Sequence, residues 1–167
     1  RGVAVSQFHF YRYHPMLGVS DALDMDSFID LFLEGNLYFG DYFEHTSSWI
    51  NARNDRLGNN QVLSIRYEDL VERKTETLQQ LSAYLFPQHT LSDDAANHIV
   101  ASTEFERMKQ AIKENPQTFH FNPDKFFREG KSMGWRDSLT IAQQTRIAQH
   151  AQLRWANLGT LYNFSSL

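Results

Sequence analysis

The side chains able to do chemistry concentrate in residues 115–134, a stretch without helical or strand periodicity that holds Phe126, Phe127, Arg128, Gly130 and Lys131. Pro116 and Pro123 interrupt it, and Phe119 and Phe121 extend its phenylalanine cluster. A long aperiodic segment inside a compact domain is usually functional or disordered. Here the basic pair Arg128 and Lys131 gives it something with which to meet an anion. The rest of the chain does not help by bulk charge: the 167 residues carry a net charge of -4 and no basic run longer than two residues. That excludes the broad positive field needed to bind nucleic acid or an anionic membrane surface. Any bound anion must be held by a few local groups, and Ser6, expected in the first turn of an N-terminal helix, is a second polar candidate. The chain has no cysteine, so disulfides and Cys-based zinc sites are excluded and a reducing compartment is permitted. No spacing of His, Asp and Glu suggests a metal cluster, and none is expected.

The elements that would position these groups are mostly helical. Val3 to His14 is dense in aromatics and reads as a largely buried helix stopped by Pro15. Asp24 is a good N-cap for a helix with Met25, Phe28, Ile29 and Phe32 on one face, and Gly35 supplies the stop. A third helix over residues 41–53 precedes an Asn- and Gly-rich loop at 54–60. Val62 to Tyr67 is apolar and β-branched at its start, which predicts a strand. Leu78, Leu81 and Leu85 mark a helix before Pro87, and Ser92 caps another with Ala96, Ile99 and Val100 inward. Thr140 and Gln143 have capping-box spacing and open a last helix through Ile147, Ala151 and Trp155.

One strand among so many helices is too few for a free-standing sheet, so partner strands are expected upstream. The opening run Arg1 to Ser6 likewise reads as the inside of an element, and the expectation is a truncated chain. No stretch reaches the ~20 apolar residues of a membrane helix and no signal-peptide pattern is present, so the composition predicts a soluble protein.

Three ordered segments carry a family resemblance. They are Val3-Ala4-Val5-Ser6 with Phe8-His9-Phe10-Tyr11, then Arg66-Tyr67-Glu68-Asp69-Leu70, then Phe126-Phe127-Arg128-Glu129-Gly130-Lys131 leading to Gly134-Trp135-Arg136. In order and separation they resemble the C-terminal part of the cytosolic-type sulfotransferases. The resemblance implies an α/β, P-loop-like sulfotransferase fold, represented over 1–167 by its mostly helical C-terminal portion. It implies transfer of a sulfuryl group from 3′-phosphoadenosine 5′-phosphosulfate to a hydroxyl or amine of a small acceptor, in the cytoplasm and without a metal. Ser6, Arg128 and Gly130 would hold the 3′-phosphate, using a helix N-terminus, a guanidinium fork and a close backbone N–H. Tyr67, Thr103, Phe105 and Met108 would surround the adenine, with Phe127 completing the nucleotide set. Phe10 and His14 fall where the family builds part of its acceptor pocket, and His14 is given no catalytic role.

The same residues have plainer readings: Ser6 on a helix surface, Phe105 and Met108 in a core, Arg128 and Lys131 in solvent. The departures are specific too. Glu129 stands where the family triplet has Lys, and neither the Gly-rich phosphosulfate loop nor the Lys-Thr-His segment with the general base has a match here. The fragment itself is therefore expected to be inactive, with no catalytic residue assigned. The rival expectation is a non-catalytic nucleotide-binding or helical interaction domain. Arg136, Thr140 and Ile141 partly match the family's dimer motif, with Thr145 in place of its Glu, which implies at most a homodimer through that segment.

Overall fold

The computed structural model describes residues 1–14, 17, 22–53, 62–118 and 122–156. Pro15, the loop at 54–60, Phe119 and Phe121 lie outside the described residues. In chain order the α-helices are α1 (Gly2–Tyr13), α2 (Met25–Glu34), α3 (Tyr42–Ala52), α4 (Tyr67–Glu72), α5 (Lys74–Leu85), α6 (Asp93–Ser102), α7 (Phe105–Glu114), α8 (Pro123–Phe126), α9 (Trp135–Ser138) and α10 (Ile141–Trp155). They belong to two compact units, one of Arg1–Val62 with Met133–Leu167 and one of Leu63–Ser132. Among the described residues no helix is long and apolar enough to cross a membrane.

The first unit is built on aromatic packing. Helix α1 buries Ala4, Val5, Phe8 and Tyr11, a stripe at helical spacing, and α2 buries Phe28, Ile29, Phe32 and Leu33. Phe8 and Tyr11 meet Phe28 edge-on at centroid distances of 5.5 and 5.8 Å. Phe43 of α3 lies 5.6 Å from Phe32 and 5.2 Å from Trp155 of α10, whose indole N–H donates to the Phe43 carbonyl at 3.3 Å. Trp135, Leu139, Ile147 and Ala151 close the same core.

Capping fixes where these helices begin and end. Asp24 accepts from the Ser27 N–H at 2.8 Å, and the Thr140–Gln143 capping box forms as its spacing predicts. Gly35 ends α2 at φ +74°, where a Cβ would also come within 2.7 Å of the Asp41 Cβ. Asp41 in turn caps α3 through the N–H groups of Phe43 and Glu44 and accepts from Arg154 Nη2 at 2.6 Å. Burial opposes ionisation of Asp41, but these donors hold its carboxyl below the usual range.

The second unit stacks helices through side-chain ties. Thr75 bonds Asn97 at 3.0 Å and Gln79 bonds Asp93 at 2.6 Å, a pairing whose descending order makes α5 and α6 antiparallel around the buried Ala96. The buried Thr77 hydroxyl donates to the Asp69 carbonyl, joining α4 to α5. The inner face expected for α6 holds at Ala96 only in part, because Ile99 is left exposed. The strand predicted over Val62–Tyr67 is not formed. Residues 62–66 are irregular, Arg66 is extended, and Tyr67 already opens α4. A strand is defined by a neighbour that takes its hydrogen bonds, and none exists among the described residues.

His150 on α10 links this packing to pH. Its ring lies 4.8 Å from Phe43, its Nε2 is buried without a hydrogen-bond partner among the described residues, and Arg146 and Arg154 flank it one turn away on either side. Burial pushes the imidazole below its ordinary 6.5, Arg154 and Arg146 act the same way, and Asp41 opposes them. Asp30 of α2 pairs with Arg146, as Asp41 does with Arg154, so the row keeps its arginines compensated. The unfolded chain therefore takes up the His150 proton first, and stability is complete above 6.5 and falls as pH drops below it. Melting temperatures measured from about pH 7.5 to about pH 5 should decline in the wild type and decline less steeply in His150→Gln. Parallel curves would assign the slope to other groups.

Candidate functional site

The described contacts gather one group of predicted residues in the second unit, where the segment after α7 folds back on the start of that helix. Asn122 caps α8, accepting from the Asp124 N–H at 2.9 Å, and Lys109 and Lys113 of α7 reach Asp124 at 3.0 and 2.7 Å. The hydrogen bonds from Lys113 and Lys109 hold the Asp124 carboxyl below its usual range. These ties bring Phe127 to Phe105, with ring centroids 5.6 Å apart in an edge-to-face pair, and Phe126 packs on Phe127 at 5.4 Å.

Gly130 completes the turn at φ +62°, and a Cβ there would lie 2.5 Å from Cδ2 of Phe105. Both the left-handed backbone and the aromatic ring beside it require glycine. Past it, the Ser132 hydroxyl donates to Glu72 of α4 at 2.6 Å, anchoring the far end. Between these anchors stand Arg128 and Glu129, both partly exposed and paired at 2.8 Å. A turn with a constrained glycine, an adjacent guanidinium and an aromatic floor is chemically suited to a phosphate.

Other predicted residues of this unit stand elsewhere. Tyr67 is half-exposed at the first position of α4 rather than at a strand end. Thr103 follows α6, where its hydroxyl donates to the Ile99 carbonyl at 2.8 Å, leaving its lone pairs to accept. Met108 lies on α7 one turn after Phe105 with its side chain partly exposed. Among the described residues no group of three His, Cys, Asp or Glu side chains could hold a metal ion.

The first unit holds Ser6, Phe10 and His14. Ser6 is exposed but is the fifth residue of α1, so it sits past the first turn in which it was expected. Its own N–H falls within the helical ladder, and only its hydroxyl is placed to meet an anion. Phe10 packs against His14 with tilted rings at 4.8 Å, and the His14 N–H closes the helix on the Phe10 carbonyl. Sequence reasoning overlooked Phe39, which lies 6.1 Å from Phe10 and donates its N–H to the Tyr11 hydroxyl while its own side chain stays largely exposed. The signal was an aromatic pair, Tyr38-Phe39, between two turn glycines, where solvent would favour polar residues.

Comparison with known proteins supplies a frame for these positions. The family model for the sulfotransferase domain matches residues 1–160. Sulfotransferase 1A1 of Rattus norvegicus is 27% identical over 158 residues, covering 90% of this chain and 50% of that protein. Sulfotransferase 1E1 of Bos taurus is 31% identical over 150 residues, covering 83% of this chain and 48% of that protein. The crystal structure of a mouse sulfotransferase complexed with PAP matches with a TM-score of 0.77 at 28% identity, over 93% of this chain and 55% of that one. Retinol dehydratase, in complex with androsterone and inactive cofactor PAP, is alike in fold, with a TM-score of 0.79 at 20% identity over 97% of this chain and 46% of its own. The chain thus spans about half the length of the curated relatives it matches.

The close approach at residue 130 is directly testable. Gly130→Ala should lower stability in urea unfolding by more than ~1 kcal/mol, from the left-handed backbone and the clash with Phe105 together. In a Phe105→Leu background the loss should shrink toward the backbone contribution alone. Equal losses in both backgrounds would mean that the ring is not what confines the glycine.

Proposed function

Because the chain belongs to the sulfotransferase domain family, we propose that the whole protein moves a sulfuryl group from 3′-phosphoadenosine 5′-phosphosulfate to a hydroxyl or amine of a small acceptor, in the cytoplasm. This chain is the C-terminal portion of that domain in this reading, and it supplies groups that hold the nucleotide rather than the general base. The S–O bond to the 5′-phosphate breaks, a new S–O or S–N bond forms to the acceptor, whose proton passes to the general base of the whole protein, and adenosine 3′,5′-bisphosphate departs. The observation that carries the reading is the turn in which Gly130, confined by Phe105, follows Arg128 by two residues. In sequence it resembles the family's phosphate-binding triplet, and the chain is similar to a mouse sulfotransferase solved with PAP, which supports the reading.

In this reading Ser6, Arg128 and Gly130 serve the 3′-phosphate, and Tyr67, Thr103, Phe105, Met108 and Phe127 serve the adenine. Phe10 and His14 serve the acceptor, and Phe39 is added to them because its ring lies beside Phe10. A homodimer through residues 136–145 belongs to the same proposal, with Ile141 82% exposed there. The second reading is a relative that holds the nucleotide without chemistry or serves as a helical interaction domain. The Arg128–Glu129 pair favours it, since the guanidinium meant for a phosphate already has an anion.

Calorimetric titration with adenosine 3′,5′-bisphosphate at fixed ionic strength tests the nucleotide site. Arg128→Ala should weaken binding by ~1.5–3 kcal/mol, the cost of a lost charged hydrogen bond. A folded wild-type chain and a folded variant with equal affinities would remove Arg128 from the site. No binding by either would favour the helical interaction domain of the second reading.

A further inference from the structure

We propose that Glu129 is a built-in competitor for the nucleotide phosphate, holding the Arg128 guanidinium until a phosphate displaces it. The inference rests on the reading of Arg128 as a phosphate ligand and names how that site is regulated.

Neighbouring residues in an extended chain point to opposite sides, so a pair between residues 128 and 129 needs a bent backbone. The bend is present and held. The Phe127 N–H donates to the Pro123 carbonyl at 2.8 Å and the Arg128 N–H to the Phe126 carbonyl at 3.1 Å. Phe105 confines Gly130 after it, and Ser132 is tied to Glu72. With both ends of the turn fixed, Arg128 Nη1 and Glu129 Oε1 meet at 2.8 Å with side-chain exposures of 30% and 34%.

A carboxylate, like a phosphate, offers a guanidinium acceptor oxygens that it can grip in pairs. Binding at Arg128 therefore exchanges one anion for another and gains less than binding to a solvated guanidinium. The exchange also leaves a negative side chain one residue from an incoming phosphate, where like charges repel. Pairs that remain about one-third exposed are weak enough to be displaced, so Glu129 sets the affinity of the turn without closing it.

The probe is adenosine 3′,5′-bisphosphate, titrated into the wild-type chain, Glu129→Gln, Arg128→Ala and the double variant, with thermal melts showing that each is folded. Glu129→Gln should bind ~5-fold more tightly than wild type or better. The gain should narrow as salt rises, because partly exposed charges are screened. In the Arg128→Ala background the Glu129→Gln change should bring a much smaller gain, since the captured guanidinium is gone. If Arg128→Ala weakens binding but Glu129→Gln leaves it unchanged, the competitor role is wrong and the phosphate site stands. An equal gain in both backgrounds would overturn the capture of Arg128 and leave Glu129 acting by repulsion alone. If none of the four folded chains binds the probe, the phosphate site itself fails.

Discussion

The ring of Phe105 against the α carbon of Gly130 is the contact on which the candidate phosphate site depends. It places residue 130 where no Cβ fits, and the same residue has a left-handed backbone that only glycine adopts without strain. Because the same ring also receives Phe127, two points of one short turn are referred to a single side chain on α7. Arg128 and Glu129, lying between them, inherit their positions from that packing. An apolar contact here decides where charges stand, and the charges decide what the turn can hold.

The first unit uses the reverse order, a charged residue organising apolar ones. Asp41 caps α3, accepts from Arg154 near the end of α10, and occupies the space that a Cβ on Gly35 would need. Its cap fixes the start of the helix that carries Phe43, and Phe43 then receives Phe32, Trp155 and His150. A carboxylate held below its usual range by backbone donors is charged throughout the neutral region, so this arrangement persists where His150 begins to titrate.

Legibility in the sequence followed the range of the interactions. Helices α2 and α10 were readable to the residue because Asp24, Gly35, Thr140 and Gln143 act within one turn of where they stand. The segment at 62–66 was misread because a strand is a relation to a second segment, which apolar β-branched residues cannot supply by themselves. Ser6 was assigned to the first turn because no cap residue marks the start of α1, and that helix has no side-chain cap bond. At the site, the resemblance supplied the identities of Arg128 and Gly130, and glycine beside a basic residue was a usable local signal. The partnership of Gly130 with Phe105, 25 positions apart (130 minus 105), was not, since nothing local in either residue specifies the other.

In the proposed function, a chain of net charge -4 cannot draw an anionic nucleotide in by its overall field, so selectivity has to come from geometry at short range. A few donors fixed by packing meet that need, because their mutual positions are settled before the ligand arrives. The Arg128–Glu129 pair adds a threshold to the same design. A weakly held or singly charged anion gains little by displacing a carboxylate of similar shape, whereas a dianionic phosphate with an attached aromatic base gains from both its charge and its stacking. Under that proposal, the acidic residue that departs from the family triplet is the element that makes the turn discriminate among anions rather than accept any of them.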